Sequence, residues 1–449
     1  MLFPFPVQTL LSRLNKAGYT AYAVGGCVRD TLLGHVPKDW DICTSALPAE
    51  MKAVFSGEHV VETGLRHGTL TVVLDHVPYE ITTYRTEGGY TDHRHPDQVA
   101  FIDRIDQDLS RRDFTINAMA CNPQGEILDL FQGRRDLAAG LVRCVGNPET
   151  RFNEDALRIL RALRFASVLD FEIEESTARA IRKQYPDLKN VSGERIREEL
   201  LKLLCGPGVG RILRGFPEVF SFLLPPLQPA LDFDQKNPHH LYTVWEHTVR
   251  AVETVPPDPV LRFTMLLHDC GKPVSQVMDE KGIGHYPGHQ ACSARLAEPI
   301  LASLRFDRAS ADRILRLIEA HDIPLSTEKR ILLRRLNRFG EKDLRALFEI
   351  HRADRIATGT RNPVHAREHM EELNAALDLL LQEKPCFTLK DMKLNGEDLR
   401  SLGLQGRIIG ETLRHLLDQV MDEKLPNEKP ALLDAARDFI RDEKNRKSE

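Results

Sequence analysis

Short β-branched and aromatic runs bounded by Gly, Asp and Pro recur through the first 120 positions: YAVGG, LTVVL and YEITTYR. Runs with that length and punctuation predict the strands of a sheet. Near residue 150 the period changes. EDALRILRALRFASVL sets apolar residues at 156, 157, 159, 160 and 163, the spacing of one buried helix face. GERIREELLKLLCGPG begins in the same way and meets a breaker at Gly206-Pro207. From CGPGVG to LLPPLQPALDF, Pro and Gly predict a connector. Helical periodicity, now rich in histidine, resumes after Phe233 and runs to about residue 360. HAREHMEELNAALDLLLQEK continues it, and RDEKNRKSE reads as a frayed end.

This order predicts the α+β class, an α+β head followed by all-α segments. The expected boundaries are a head with a mixed β-sheet over 1–125, a helical neck over 126–205, a connector over 206–235, a helical domain over 236–360 and a helical body or tail over 361–449. The chain has 449 residues, enough for two to four domains at roughly 100–200 residues each. No apolar run approaches the ~20 residues of a membrane span. MLFPFPVQTLL lacks the basic start and small-residue cleavage site of a signal peptide, so the expected location is the cytoplasm. Eight cysteines without any C-x-x-C pair read as reduced thiols, not a zinc ribbon. The net charge of −5 does not point to nucleic acid, but local basic clusters decide that question.

Chemistry enters at VGGCVRDTLLGHVPKDWDIC, Val24 to Cys43. If DWDIC is a strand, Asp39 and Asp41 point to one face. Two neighbouring carboxylates repel, and a divalent cation relieves the repulsion. An all-oxygen donor set beside phosphates suits Mg²⁺. Gly25 and Gly26 let the backbone approach a phosphate, and Arg29 adds a positive charge. A D-x-D pair alone is common in surface turns; the Gly-Gly upstream is what favours a nucleoside triphosphate and metal site. Glu80, in YEITTYR, is a candidate third carboxylate on a neighbouring strand.

VGGCVRD…KDWDI resembles the head of the class II tRNA nucleotidyltransferases, the family of CCA-adding enzymes and bacterial poly(A) polymerases. The resemblance continues in order through YRTEGGYTDHRHPDQVAF (flexible loop and flanks), RRDFTINAMA (111–120, sugar selection), DLFQGRRDL (129–137, hinge), EDALRILRALRF (154–165, base reading) and SGERIREEL (192–200, a later neck motif). It covers about the first 200 residues. It implies that Asp39, Asp41 and Glu80 are catalytic, with Asp39 and Asp41 holding Mg²⁺. An RNA 3′-hydroxyl would attack the α-phosphate of ATP or CTP, with tRNA as partner and no obligate protein partner or membrane. Arg112, Asp113 and Asn117 would contact the ribose and phosphates, Asp113 accepting from the 2′-hydroxyl.

Asp155, Arg158, Arg161 and Arg164 recur every third residue, which on a helix makes a winding stripe. Asp155 only accepts hydrogen bonds and Arg158 only donates them. Side by side they match the amino group and ring nitrogen of cytosine or adenine, whereas guanine and uracil present a carbonyl to Asp155. An unmatched buried pair costs on the order of 1–3 kcal/mol. In the family that the chain resembles, CC-adding members lack the flexible loop, so the presence of EGGYTDHRHP, with Arg85 and Arg94 near its ends, argues against CC addition alone. It leaves full CCA addition, A addition and poly(A) synthesis open.

In the second half, His247, His268, Asp269, His289, His321 and Asp354 follow one another on predicted helices in WEHTV, LLHDCGK, PGHQACSA, IEAHDIP and HRADRIA. The order resembles an HD phosphohydrolase domain. Imidazole and carboxylate together suit Mn²⁺, Fe²⁺, Ni²⁺ or Zn²⁺. His247, His268, Asp269 and Asp354 would form the core set and His289 and His321 a second one. The resemblance implies hydrolysis of phosphoesters; a metal-stabilised scaffold is the alternative. Two further readings stand beside the transferase: an HD hydrolase with an inactive head, and an RNA-binding module without chemistry. Basic KRILLRRLNR (329–338) is a candidate phosphate contact, although a charged, solvated helix face is the first reading of any single such cluster.

Overall fold

The computed structural model describes residues 3–88, 98–359 and 362–446. Most of EGGYTDHRHP, with Arg94, lies outside them. The chain folds as two compact units. The first holds the chain up to Gln228 together with Pro299–Arg308, and the second holds Pro229–Glu298 and Ala309 onward.

The first unit opens with α1 (Phe5–Lys16), β1 (Ala21–Val24), α2 (Gly26–Leu32), β2 (Ile42–Thr44), α3 (Pro48–Val54), β3 (His59–Gly64), β4 (Thr69–Leu74) and β5 (Val77–Thr83). A two-stranded hairpin of β6 (Arg85–Gly88) and β7 (Gln98–Phe101) follows, then α4 (Ile105–Ser110), β8 (Met119–Cys121) and β9 (Ile127–Asp129). Seven of these strands form a mixed sheet in the order β3-β4-β5-β2-β1-β8-β9. Only β2 and β5 pair in parallel, with Ile42 opposite Ile81. Alternate inward residues of the strands meet α1 and α3 in a core of Leu10, Leu14, Met51, Phe55, Ile42, Leu70 and Ile81.

Helices take over with α5 (Gly133–Ala138), α6 (Pro148–Glu154), α7 (Leu157–Leu169), α8 (Glu175–Gln184) and α9 (Gly193–Leu204), while β10 (Leu141–Val142) and β11 (Glu172–Ile173) pair in parallel. The apolar stripe read from the sequence is the buried face of α7: Leu157, Ile159, Leu160 and Leu163. The segment 206–235, expected as a connector, is folded. It carries α10 (Val209–Gly215), α11 (Pro217–Leu223) and a 3₁₀ turn over Pro225–Ala230. Pro217 does not break α11, because it sits at the helix start, where no N–H is required.

The second unit contains α12 (Val244–Thr254), α13 (Pro259–Leu267), α14 (Lys272–Ser275), the start of α15 (His289–Ser303), most of α16 (Arg308–Ala320), α17 (Lys329–Ala357), α18 (Pro363–Gln382), α19 (Gly396–Ser401), α20 (Arg407–Met421) and α21 (Lys429–Arg446). A short hairpin of β12 (Val277–Met278) and β13 (Gly284–His285) interrupts the expected all-helical run. Its turn uses Gly282 at φ +75°, and the Asp279 carboxylate accepts from the N–H groups of Lys281 and Ile283. The segments 236–360 and 361–449 share a core in which Leu332, Leu336 and Phe348 of α17 meet Leu373, Leu377, Leu416 and Leu432. No described helix is long and apolar enough to cross a membrane, and all eight cysteines are free thiols.

Candidate functional site

β1 ends at Val24 because Gly25 turns the chain away at φ +77°. A side chain here would be strained, and its Cβ would stand 3.0 Å from Arg112 Nη1. Arg112 therefore lies against the Gly-Gly turn. Arg29, one turn into α2, donates to Asn117 Oδ1 at 2.7 Å and pairs with Asp30 at 2.7 Å.

DWDIC is not a strand throughout. Since β1 stops at Val24, whose N–H donates to the Asp41 carbonyl, residues before Asp41 have no ladder partner, and β2 begins at Ile42. Asp39 and Asp41 lie exposed in the lead-in. The parallel register of β2 on β5, carried back one residue, brings Asp41 to Glu80. Both line a cavity of about 210 Å³ together with Thr69, Arg85, Asp108, Arg111 and Arg112. Although Asp41 is exposed, partial desolvation raises its carboxyl pKa; Arg112 opposes the shift and Asp39 adds to it. A hard cation is what such crowded carboxylates fit. Asp39, Asp41 and Glu80 form no group with all ligand atoms within 4.8 Å of one another.

Asp155 does not share the helical stripe. It breaks the chain between α6 and α7 in an extended conformation (φ −145°, ψ 107°), and its Oδ1 accepts from the N–H of Leu157. Arg195 of α9 clamps the carboxylate from the other side, at 2.7 and 3.4 Å. Arg158 Nη1 donates to Glu154 and to the Arg151 carbonyl, and Nη2 to the Arg111 carbonyl. Three of its five N–H donors are thus engaged, leaving two for a ligand.

Asp113 is 8% exposed and accepts four hydrogen bonds: from Arg161 Nε (2.8 Å) and Nη2 (2.6 Å), Asn117 Nδ2 (3.2 Å) and the Phe114 N–H (2.8 Å). These use all the lone pairs a carboxylate offers, so a ribose hydroxyl would have to displace one of them. Burial alone would raise this carboxyl, but Arg161 and, less strongly, Arg158 and Asn117 bring it down to about 2. Arg164 pairs with Glu199 of α9, and the Phe165 ring lies 5.1, 5.5 and 3.9 Å from the guanidinium carbons of Arg29, Arg161 and Arg164. Arg195 and Glu199 were legible as parts of SGERIREEL, though not as partners of Asp155 and Arg164. Asp108 carried no signal, because only its burial among arginines singles it out.

The second unit gathers all six expected metal ligands. His247, His268, Asp269 and Asp354 form one group and Asp269, His289 and His321 another, each with its ligand atoms within 4.8 Å. Asp269 belongs to both. Its Oδ2 stands 3.2 and 3.3 Å from Nε2 of His247 and His268, and its Oδ1 stands 3.4 and 3.6 Å from Nε2 of His289 and His321. His268, His289 and His321 each donate Nδ1–H to the carbonyl three residues upstream, at 2.7, 2.8 and 2.7 Å. Carbonyls only accept, so the Nε2 atoms of these three histidines are left as the acceptors facing inward. Both Asp269 oxygens are buried without a well-directed hydrogen bond, although Lys272 Nζ is 2.6 Å away. Inward imidazole nitrogens around an unsatisfied carboxylate fit a transition metal. Burial opposes protonation of His247, but the carboxylates of Asp269 and Asp354 outweigh it and raise its pKa to about 9; His321, with burial dominant, falls to about 3. Lys272 was within the quoted LLHDCGK; its buried partner Gln235, 3.0 Å away, had no sequence signal.

A Gly-Gly turn and D-x-D pair on a mixed sheet, followed by a helical neck, define a nucleotidyltransferase-type head. Residues 21–143 match the poly A polymerase head domain, 170–231 a probable RNA and SrmB-binding site of polymerase A, and 291–436 domain 2 of tRNA nucleotidyltransferase. The chain belongs to the CCA-adding enzyme family. It is 33% identical to a CCA-adding enzyme of Ligilactobacillus salivarius over 434 residues, covering 96% of this chain and 95% of that one. A CCA-adding enzyme of Limosilactobacillus reuteri is 53% identical over 202 residues, 45% of this chain and 49% of that protein. That alignment spans about half the length of the relative it matches. The crystal structure of the Bacillus stearothermophilus CCA-adding enzyme with CTP superposes with a TM-score of 0.74 at 29% identity, covering 99% of this chain and 100% of that one.

Proposed function

We propose that this chain is a template-independent RNA nucleotidyltransferase that adds CCA to tRNA 3′ ends from CTP and ATP. The observation that carries the reading is one cavity lined by Asp41, Glu80, Arg111 and Arg112, with Arg158 bonded to the Arg111 carbonyl. Asp39 and Asp41, with Glu80 beside them, would hold Mg²⁺, which when bound supplies charge stabilisation at the α-phosphate. Arg112, seated on Gly25, and Arg29 face the phosphates. Asp113 and Asn117 act by holding Arg161 and Arg29. Asp155 keeps one lone pair and Arg158 two donors, which is what the amino-nitrogen edge of cytosine or adenine requires. Uracil or guanine sets an acceptor against Asp155, at a cost of about 1–3 kcal/mol. The test is incorporation of each of the four nucleotides into a tRNA transcript lacking CCA. CTP alone is expected at the first position, and equal use of UTP would overturn the base-reading role.

A second activity rests on the buried, unsatisfied Asp269 shared by two ligand groups. His247, His268 and Asp354 on one side and His289 and His321 on the other would hold Mn²⁺, Fe²⁺, Ni²⁺ or Zn²⁺ for phosphoester hydrolysis. Hydrolysis of a chromogenic phosphodiester that is lost in Asp269→Ala and kept in Asp41→Ala is the expected result. Hydrolysis surviving Asp269→Ala would contradict it.

A further inference from the structure

Asp108, near the end of α4, is 1% exposed and belongs to neither the D-x-D pair nor the base-reading pair. Its Oδ1 accepts from the backbone N–H of Arg85 at 3.2 Å and from Arg111 Nε and Nη2 at 3.0 and 2.8 Å. Its Oδ2 faces Arg112 Nη2 at 3.5 Å. Each contact leads to a different part of the site. Arg85 opens β6, so the first bond fixes the base of the β6–β7 hairpin. Arg111 Nε also reaches the Arg85 carbonyl at 3.1 Å, and the Arg111 carbonyl receives Arg158 Nη2 at 3.2 Å. Arg112 lies against Gly25 and bears electrostatically on Asp41.

A buried carboxylate is costly unless its lone pairs are met. Here one carboxylate is met by the hairpin base and by two adjacent arginines. One of those arginines faces the catalytic carboxylate, and the other presents the carbonyl that anchors the base reader. Moving any of the three shifts the others. We propose that Asp108 is a positioning residue that fixes Arg112 and, through the Arg111 backbone, Arg158 relative to the β6–β7 hairpin, and that base discrimination depends on it. The proposal rests on the transferase reading of the head.

The test compares wild type, Asp108→Asn and Arg111→Lys in single-nucleotide incorporation of CTP and UTP into a tRNA transcript ending before CCA. Thermal melting is followed in parallel. Loosening Arg158 is expected to lower the CTP-over-UTP ratio of kcat/KM by about tenfold or more and to raise the KM for CTP. A merely structural role would lower the active fraction and reduce both nucleotides alike, and an unchanged ratio overturns the proposal. Arg111→Lys keeps the charge but loses the fork that bridges Asp108 and the Arg85 carbonyl. It carries the test alone if Asp108→Asn does not fold. Equilibrium binding of CTP and UTP separates the two ways of failing. A wild-type protein that prefers CTP in binding but transfers nothing contradicts the transferase reading, and the binding ratio of the variants then decides the role of Asp108.

Discussion

Arg195 on α9 grips the carboxylate of Asp155, Nη2 to Oδ2 at 2.7 Å and Nη1 to Oδ1 at 3.4 Å. Asp155 sits in the break between two helices, so nothing in its own backbone ladder holds the side chain in place. The clamp and the Leu157 N–H do so instead. Arg195→Ala is therefore expected to weaken the preference for CTP over UTP by about tenfold, in the same direction as Asp155→Ala, with Arg195→Lys between them. Incorporation assays with both nucleotides check the order.

Asp41 is exposed, and its neighbours in the lead-in to β2 make no ladder. Its removal should leave the fold intact. Asp41→Ala is expected to lower nucleotide incorporation by about a thousandfold or more, since metal-held charge stabilisation is worth several kcal/mol. The melting temperature should stay at the wild-type value.

The Asp113–Arg161 pair gives a pH dependence of stability. Folding lowers the Asp113 carboxyl from about 3.9 in an unfolded chain to about 2. The stabilisation is thus present above about pH 4 and is lost as pH falls through about 2, with a size on the order of 2 kcal/mol. Denaturant unfolding of wild type and Asp113→Asn at about pH 6, 5 and 3 should show a stability gap that is constant at the upper two values and narrower at the lowest.

Metal removal should act on the second unit. Chelation is expected to lower the melting temperature of that unit, and Mn²⁺ or Ni²⁺ to raise it again by adding about 2.7 kcal/mol of stability at a hundredfold excess over Kd. Asp269→Ala should abolish the response, because both ligand groups lose their shared member. CTP incorporation by that variant in Mg²⁺ should persist.

Much of this was legible wherever chemistry and period coincide. The strands YAVGG, LTVVL and YEITTYR and the buried face of α7 lie where their pattern places them, and the six histidines and aspartates singled out in the second half come together in two groups. Local context decided the rest. Asp155 falls on the three-residue repeat of Arg158, Arg161 and Arg164, but its side chain takes the Leu157 N–H and ends the helical path. Asp39 and Asp41 read as strand residues, yet a strand needs a partner and β1 turns away at Gly25. Pro217 looked like linker punctuation and instead sits at a helix start, while Pro229 lies inside a 3₁₀ turn. Arg195 and Gln235 gain meaning only from partners far away in the chain, Asp155 and Lys272, and Asp108, although it stands three and four residues before Arg111 and Arg112, gains its link to the hairpin only through the distant Arg85 N–H.

The most direct measurement offers the purified protein three tRNA transcripts, ending before CCA, after C and after CC, with labelled CTP and ATP, and resolves products to single nucleotides. The account predicts that C, C and A are added in turn and that addition then stops. A single A gained only by the CC-ended tRNA, long A tails on unrelated RNA, or no addition at all would contradict it.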